Sequence, residues 1–355
     1  MEASHSYFKK RVKNFRKTFL GYGVDAFLIQ NPTDIFYFTG IKLSKGKLFI
    51  AQRNSILCVD GRYTELAKKN SPFPVKALDD ESLRKLFGSS SWKEMQVMGF
   101  DTSISFAEHK KLKTFFSQLK KKLKGCDFPI QKERAIKDGR ELLLIKKSAD
   151  LLWKGFLHVR KHLKVGITEL ELAQIFEFYS KKNGAEALSF EPIIAFGAHA
   201  ALPHYRCGSR KLKKGDVVLL DIGVVLNGYS SDMTRTLFFG EVPKKIQELN
   251  DVVQKTHQEV LKHIRPGIEV AELDHIARKV MGKKEKHFLH SLGHGIGLDV
   301  HEYPLISKKT EKVKLEAGMV ITIEPGLYLP GIGGVRHEDM IVVTKTGYQN
   351  LFKVS

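Results

Sequence analysis

The part of the chain up to residue 130 alternates short apolar runs with segments in which apolar side chains recur at helical spacing. The apolar runs predict buried strands over 26–30, 47–51 and 55–60. Helical spacing predicts two amphipathic helices, one over 7–19 and a long basic one over 105–124. Strands that alternate with helices favour a small α/β domain in this part of the chain.

The pattern changes after the segment Cys-Asp-Phe-Pro at 126–129, which we interpret as a linker between domains 1–128 and 131–355. Helical spacing then predicts four helices, over 138–164, 168–182, 244–264 and 270–286. Apolar runs predict four strands, over 217–226, 228–239, 319–323 and 334–343. The first two strands are joined by Asn227-Gly228, a strong signal for a tight hairpin turn. Long helices combined with antiparallel hairpins predict an α+β second domain.

Composition limits the classes of function that remain. No stretch approaches the roughly 18 uninterrupted apolar residues of a membrane span, and residues 1–17 lack the apolar centre of a secretory signal. Three scattered cysteines form neither a disulfide framework nor a zinc site, so we expect a cytoplasmic protein. The net charge of +20 would suit nucleic acid or an anionic membrane, but no aromatic or glycine-rich motif interleaves the lysines. We therefore interpret the charge as a solvated surface and expect neither partner.

Acidic side chains occur where apolar strands of the second domain would place them inside the protein. Asp221 follows Val-Val-Leu-Leu, and Asp232 lies on the returning strand of the same hairpin. Glu324 follows Val-Ile-Thr-Ile, and Glu338 follows Gly-Gly-Val-Arg-His. Buried carboxylates repel one another unless cations neutralise them. Together with His294, in a glycine-rich segment, they form an oxygen-rich donor set of the kind that holds two metal ions in hydrolases.

The motifs around these residues resemble those of the pita-bread metallopeptidases, the superfamily of methionine aminopeptidase, prolidase and Xaa-Pro aminopeptidase. The resemblance rests on Leu-Asp-Ile-Gly at 220–223, Ser-Asp-Met-Thr-Arg-Thr at 231–236, Gly-His-Gly-Ile-Gly at 293–297, Ile-Glu-Pro-Gly at 323–326 and Val-Arg-His-Glu-Asp at 335–339. Residues 31–40, Asn-Pro-Thr-Asp-Ile-Phe-Tyr-Phe-Thr-Gly, resemble the N-terminal domain of the proline-specific members. The resemblance implies a pita-bread catalytic domain preceded by a creatinase/prolidase-type α/β domain.

The same resemblance implies a metal ligand set. Asp221 would bind one metal, His294 and Glu324 the other, and Asp232 and Glu338 would bridge the two. A bridging water or hydroxide would be the nucleophile, and Glu324 could also move protons during attack. The expected cofactors are two divalent ions, Mn²⁺ first, with Co²⁺, Fe²⁺ or Zn²⁺ as alternatives.

His204 and His301 resemble the catalytic histidines of this superfamily, which face the substrate. His290 and Arg336 resemble a pair near the prolyl side in the proline-specific branch, and methionine aminopeptidases usually lack both this pair and the N-terminal domain. The expected activity is therefore that of an Xaa-Pro aminopeptidase, which acts on peptides with proline at the second position. The alternative is an Xaa-Pro dipeptidase (prolidase), and a homodimer is usual among similar proteins.

Two positions depart from the family pattern. His199 stands where relatives often carry Asn, and His337 stands where an aliphatic residue is common. Some relatives have lost their ligands and bind protein or nucleic acid instead, so a non-catalytic homologue is a further alternative. The presence of all five ligand residues favours the enzyme.

Overall fold

The computed structural model describes residues 4–352, and the chain divides into two units, Met1–Glu133 and Arg134–Ser355. The division lies inside a helix, Pro129–Ala135, that begins at the proline of the predicted linker. None of the described helices is long and apolar enough to cross a membrane.

The first unit is built on a mixed sheet of six strands. Its strands are β1 (Ala26–Ile29), β2 (Gly46–Ala51), β3 (Ser55–Val59), β4 (Val75–Ala77), β5 (Val97–Asp101) and β6 (Lys122–Cys126), in the spatial order β4-β3-β2-β1-β5-β6. Its helices are α1 (His5–Arg16), α2 (Phe19–Tyr22), α3 (Pro32–Thr39), α4 (Thr64–Asn70), α5 (Asp80–Gly88), α6 (Phe106–Gln118) and α7 (Pro129–Ala135). The pairs β1–β5, β3–β4 and β5–β6 are parallel, so the predicted α/β domain is confirmed.

The three strands predicted for this unit are confirmed, but the long basic helix over 105–124 is wrong. Helix α6 ends at Gln118, and Lys120 takes a left-handed conformation with a φ of 55°. The chain then turns into β6, whose lysines lie on an edge strand that pairs in parallel with β5. Lysine suits both an exposed helix face and a solvated sheet edge, so local pattern could not separate the two.

The described part of the second unit, up to residue 352, contains four long helices and thirteen short strands. The helices are α8 (Gly139–Arg160), α9 (Glu169–Lys182), α10 (Lys244–His263) and α11 (Val270–Met281). The strands between α9 and α10 are β7 (Ala187–Leu188), β8 (Ile193–Phe196), β9 (Asp216–Ile222), β10 (Val224–Leu226), β11 (Tyr229–Ser230) and β12 (Met233–Phe239). The strands that follow α11 are β13 (Gly293–Gly295), β14 (Glu302–Ile306), β15 (Val320–Ile323), β16 (Gly326–Leu329), β17 (Gly333–Arg336), β18 (Asp339–Val343) and β19 (Tyr348–Asn350). The two main sheets have the orders β12-β9-β8 and β14-β13-β15-β18-β19.

The central strands of this unit are buried on both faces. In β9, Val217 and Leu219 belong to the core that includes the apolar faces of α10 and α11, whereas Val218 and Leu220 belong to the core beneath α8 and α9. Strand β18 alternates between the same two cores. Because neither face meets water, these strands are apolar throughout, and a carboxylate at their ends lies inside the protein.

The predicted hairpin is confirmed, with one refinement. Asn227 and Gly228 have φ values of 52° and 80°, as a tight hairpin turn requires. The chain breaks its first strand at Gly223, where a Cβ atom would lie 2.4 Å from the Ser231 carbonyl oxygen. A glycine is therefore needed where the two arms of the hairpin approach each other, between Asp221 and Asp232.

The single strand predicted over 334–343 is wrong. It consists of β17 and β18, which belong to different sheets, and Glu338 lies at the crossing between them. The predicted helix over 270–286 also ends early, at Met281, because Gly282 has a φ of 55° and a 3₁₀ turn follows.

Candidate metal centre

The two aspartates lie close to each other on the two arms of the hairpin, and the charge of Asp221 acts on Asp232. Asp221 on β9 is opposite Thr234 on β12, and Asp232 lies immediately before β12. Both side chains are buried. Arg336 forms an ion pair with Asp221 through Oδ2, which leaves Asp221 Oδ1 without a hydrogen-bond partner among the described residues.

His294 brings an imidazole nitrogen to these carboxylates. Its Nδ1–H donates to the Gly295 carbonyl oxygen at 3.0 Å, which directs Nε2 toward the acidic side chains. The distance from Nε2 is 3.5 Å to Glu324 Oε1 and 3.8 Å to Asp232 Oδ2. Glu324 follows β15 directly, so the end of that strand delivers it to the centre.

Glu338 completes the group from the crossing between β17 and β18. Its Oε2 accepts a hydrogen bond from the Thr234 hydroxyl at 2.8 Å, and its Oε1 has no hydrogen-bond partner among the described residues. Ligand atoms of Asp232, His294 and Glu338 all lie within 4.8 Å of one another. The five residues predicted from the sequence are thus brought together from five separate places on the strands of this unit.

The electrostatics of this group fit divalent cations. Burial raises the pKa of Asp232 and of Glu338, and the neighbouring carboxylates raise both further. Burial likewise raises the pKa of Glu324, whereas it lowers the pKa of His294 to about 4, which keeps the imidazole neutral. Unpartnered carboxylate oxygens next to a neutral imidazole nitrogen form a donor set that cations would neutralise and complete.

A buried tyrosine joins His290 to Arg336. The Tyr328 hydroxyl lies 2.8 Å from His290 Nε2 and accepts a hydrogen bond of 2.6 Å from Arg336 Nη1. Burial lowers the pKa of His290 to about 3, so its neutral ring donates from Nδ1 to the Ser291 carbonyl oxygen and accepts at Nε2. Arg336 is itself buried, and its contacts are with Asp221, Thr234 and Tyr328. Tyr328 was missed in the sequence because a tyrosine in an apolar strand carries no chemical signal of its own.

The two remaining histidines lie on exposed segments beside the centre. The His301 ring is 4.4 Å from the His294 ring, measured between centroids. Partial desolvation lowers the pKa of His301, the Asp221 carboxylate opposes this by raising it, and the charge of His204 lowers it. His204 also acts on the pKa of His290 in the same direction, so it lies within electrostatic range of both. The structure therefore brings His204 and His301 to the same centre.

The segment that carries His204 is fastened by a buried carboxylate that the sequence did not reveal. Glu169, the first residue of α9, is fully buried and accepts hydrogen bonds from the Phe196 backbone N–H at 2.9 Å and the Tyr205 hydroxyl at 2.8 Å. His199 Nδ1 is 2.9 Å from the same carboxylate, which gives this departure from the family pattern a partner. Nothing in the local pattern separates Glu169 from the solvated glutamates that commonly begin a helix.

A second buried carboxylate holds the segment that carries His301. Glu302 forms ion pairs with Arg134 and, at 3.1 Å, with Lys137, and its side chain also accepts the Asp299 backbone N–H at 3.0 Å. Burial alone would raise the pKa of Glu302, but Lys137 and Arg134 lower it to about 2. The carboxylate is therefore ionised and compensated by the two buried cations, which fixes the backbone next to His301.

Comparison with known proteins gives the family. Residues 144–345 match metallopeptidase family M24, and residues 11–136 match the creatinase/prolidase N-terminal domain. An Xaa-Pro dipeptidase of Pyrococcus horikoshii is 36% identical over 93% of both chains. The solved prolidase from Pyrococcus horikoshii has a TM-score of 0.90 and 34% identity, over 98% of this chain and 99% of that one. An X-Pro aminopeptidase from Thermotoga maritima has a TM-score of 0.85 and 30% identity, over 96% and 98% of the two chains.

This chain belongs to metallopeptidase family M24. The predicted fold is confirmed: a creatinase/prolidase-type N-terminal domain precedes a pita-bread catalytic domain. The comparisons support the alternative prediction, a dipeptidase, better than the expected aminopeptidase. Two relatives, from Pyrococcus horikoshii and Pyrococcus furiosus, are named Xaa-Pro dipeptidase and are 36% and 34% identical to this chain.

The role of Glu169 can be tested by its removal. Glu169→Ala should leave the Phe196 and Gly208 backbone N–H groups without their acceptor and loosen the segment 196–208. Hydrogen exchange measured by mass spectrometry should then rise in peptides covering 196–208. Glu177→Ala, on the exposed side of the same helix, is the matched control and should leave exchange there unchanged. Equal protection of 196–208 in the Glu169 variant and the wild type would contradict the assignment.

Proposed function

We propose that this chain is an Xaa-Pro dipeptidase, which hydrolyses the bond between an N-terminal residue and a C-terminal proline. The observation that carries the proposal is the match to an Xaa-Pro dipeptidase over 93% of both chains. The convergence of Asp221, Asp232, His294, Glu324 and Glu338 supports it, because a chain that had abandoned catalysis would not need to bury these acids together. An Xaa-Pro aminopeptidase is the second candidate, favoured by the similarity to the Thermotoga maritima structure.

The five acidic and imidazole residues are the proposed holders of two divalent cations. Asp221 would hold one cation, His294 and Glu324 would hold the other, and Asp232 and Glu338 would serve both. When bound, the cations supply Lewis acidity, which lowers the pKa of water and offsets the charge of the carboxylates. Mn²⁺ is the first expectation for this oxygen-rich set. A homodimer and a cytoplasmic location stay predictions.

The remaining residues bind and orient the peptide. His204 and His301 are proposed to contact the scissile region, where their imidazoles can donate a hydrogen bond or move a proton. A peptide bond to proline lacks an N–H, so it must be recognised by the shape of the ring rather than by a backbone hydrogen bond. His290 is proposed to lie near that ring. Arg336 holds Tyr328 and Asp221 in place around it.

Metal dependence is the first test. Chelation should abolish hydrolysis of an Xaa-Pro dipeptide, and added Mn²⁺ should restore it. Asp232→Ala should lower both metal content and activity by orders of magnitude, because the other carboxylates lose a shared cation ligand. Asp251→Ala, which removes an exposed carboxylate from α10, is the control and should behave like the wild type. Full activity of the Asp232 variant in metal-free buffer would refute the metal centre.

The histidine roles predict separate effects on rate and on metal content. His204→Ala and His301→Ala should each lower kcat by about 10²–10⁴ with metal content retained, as expected for loss of a proton-transfer or hydrogen-bonding partner. His294→Ala should instead lower metal content, because its Nε2 faces Glu324 and Asp232. Elemental analysis beside steady-state kinetics distinguishes the two classes, with His275→Ala as an exposed control. The reverse pattern would overturn these assignments.

The substrate preference separates the two candidate activities. A dipeptidase should recognise the free carboxylate of the terminal proline, so Leu-Pro should be cleaved at least about tenfold faster than Leu-Pro-Ala or Leu-Pro-amide, because a charge-assisted hydrogen bond is worth ~1.5–3 kcal/mol. The amide is the sharper comparison, since it keeps the size of the substrate and removes only the charge. Faster cleavage of Leu-Pro-Ala would favour the aminopeptidase. Equal cleavage of Leu-Ala would contradict proline specificity.

A further inference from the structure

A second group of side chains with the chemistry to hold a metal ion lies beside the centre described above. His257 on α10, His337 at the crossing before β18 and Asp339 on β18 each present one donor atom, and these atoms lie within 4.8 Å of one another. None of the three is among the five residues assigned to the catalytic cations. His337 and Asp339 flank Glu338, and because side chains alternate in extended chain, they point away from it.

The distances from Asp339 to the two imidazoles are close to those between ligands of a tetrahedral metal site. His257 Nε2 is 3.5 Å, and His337 Nε2 is 3.6 Å, from the same oxygen, Asp339 Oδ2. Both distances exceed those of good N–H···O bonds, which run to about 3.2 Å. Zinc bonds of about 2.0–2.2 Å at tetrahedral angles place neighbouring ligand atoms roughly 3.3–3.5 Å apart. Asp339 Oδ2 therefore lies from each imidazole nitrogen at nearly the distance that separates two zinc ligands, and all three donor atoms lie within 4.8 Å of one another.

The Nε2 atom of His257 is a buried donor atom that makes no hydrogen bond to the described residues. His257 is 3% exposed, and its Nε2 has no hydrogen-bond partner among the described residues. A buried imidazole nitrogen in this position is costly unless something binds it. This nitrogen lies 3.5 Å from Asp339 Oδ2, and the His257 ring lies 4.6 Å from the His337 ring at an angle of 76°.

Neighbouring residues can hold the three donors in place. Asp339 Oδ1 is paired with Arg235 Nη2, and Oδ2 accepts from Asn350 Nδ2 at 2.7 Å, which leaves Oδ2 one further lone pair. The Gln254 amide lies 3.1 Å from His337 Nδ1. Rotation of this amide by half a turn presents its oxygen to an Nδ1 proton, the tautomer that a metal-binding Nε2 needs.

The charges around the group indicate which cation it would take. Arg235 already offsets much of the negative charge of Asp339, so the attraction for a hard, oxygen-preferring ion such as Mn²⁺ or Mg²⁺ is reduced. Two imidazole nitrogens favour a borderline ion, above all Zn²⁺. The His337 side chain is 18% exposed, so an ion can enter from solvent and a water can supply the fourth ligand.

We propose that His257, His337 and Asp339 form a separate zinc-binding site next to the candidate catalytic centre. The site is defined by donor geometry, and it does not depend on the proposed peptidase activity. Its occupancy is therefore measured as bound metal rather than as turnover.

The test uses the full chain, stripped with chelator and then equilibrated with Zn²⁺ before unbound metal is removed. His337→Ala and His257→Phe should each retain one zinc equivalent fewer than the wild type, by elemental analysis. His257→Phe keeps a ring of similar size in the buried position, and the more exposed His337→Ala guards against misfolding of the first variant. His275→Ala, on the exposed face of α11, is the matched control and should lose no zinc.

The same loss of one equivalent should be found in the Asp232→Ala background, where the catalytic cations are already weakened. Co²⁺ in place of Zn²⁺ should add an intense visible band typical of tetrahedral coordination, and this band should disappear in His337→Ala. Equal zinc content in the wild type and both histidine variants would overturn the proposal. A loss found only when Asp232 is intact would also overturn it, because the zinc would then belong to the catalytic centre.

Discussion

The burial of several carboxylates within a few ångströms of one another is the constraint on which the catalytic unit depends. Strands β9 and β18 are buried on both faces, so an acid at their ends loses its water and meets other acids. The consequence is visible in the raised pKa values of Asp232 and Glu338. Arg336 offsets this cost at Asp221, and cations bound to the unpartnered oxygens would offset the rest.

Buried carboxylates that are compensated by neighbouring donors or cations also occur around the centre. Each exposed segment that carries a candidate catalytic histidine is tied to the interior by one buried glutamate. Glu169 accepts hydrogen bonds from the segment that carries His204. Glu302, next to His301, forms ion pairs with Arg134 and Lys137. Each glutamate is matched by donors or cations, so its burial restricts the motion of a segment that would otherwise be free to move.

At the crossing between β17 and β18, adjacent residues belong to two different groups of donor side chains. Glu338 faces Asp232 and His294, whereas His337 and Asp339 face His257 on α10. Arg235 links the two sides, because it pairs with Asp339 and also donates to the Glu338 carbonyl oxygen. A change of charge on one side of the crossing therefore acts on the backbone that positions the other.

The sequence by itself identified the candidate ligand residues and the fold family, because carboxylates that follow apolar runs, and glycine-rich motifs around them, are local and specific signals. It also determined the hairpin, since Asn227-Gly228 tolerates the left-handed backbone of a tight turn. Only the tertiary structure showed that 334–343 is divided between two sheets and that 122–126 pairs as an edge strand. Likewise, Glu169, Glu302, Tyr328 and His257 gain their importance from partners distant in the chain. Burial and partnership depend on how the strands and helices pack, and no local pattern of side chains contains that information.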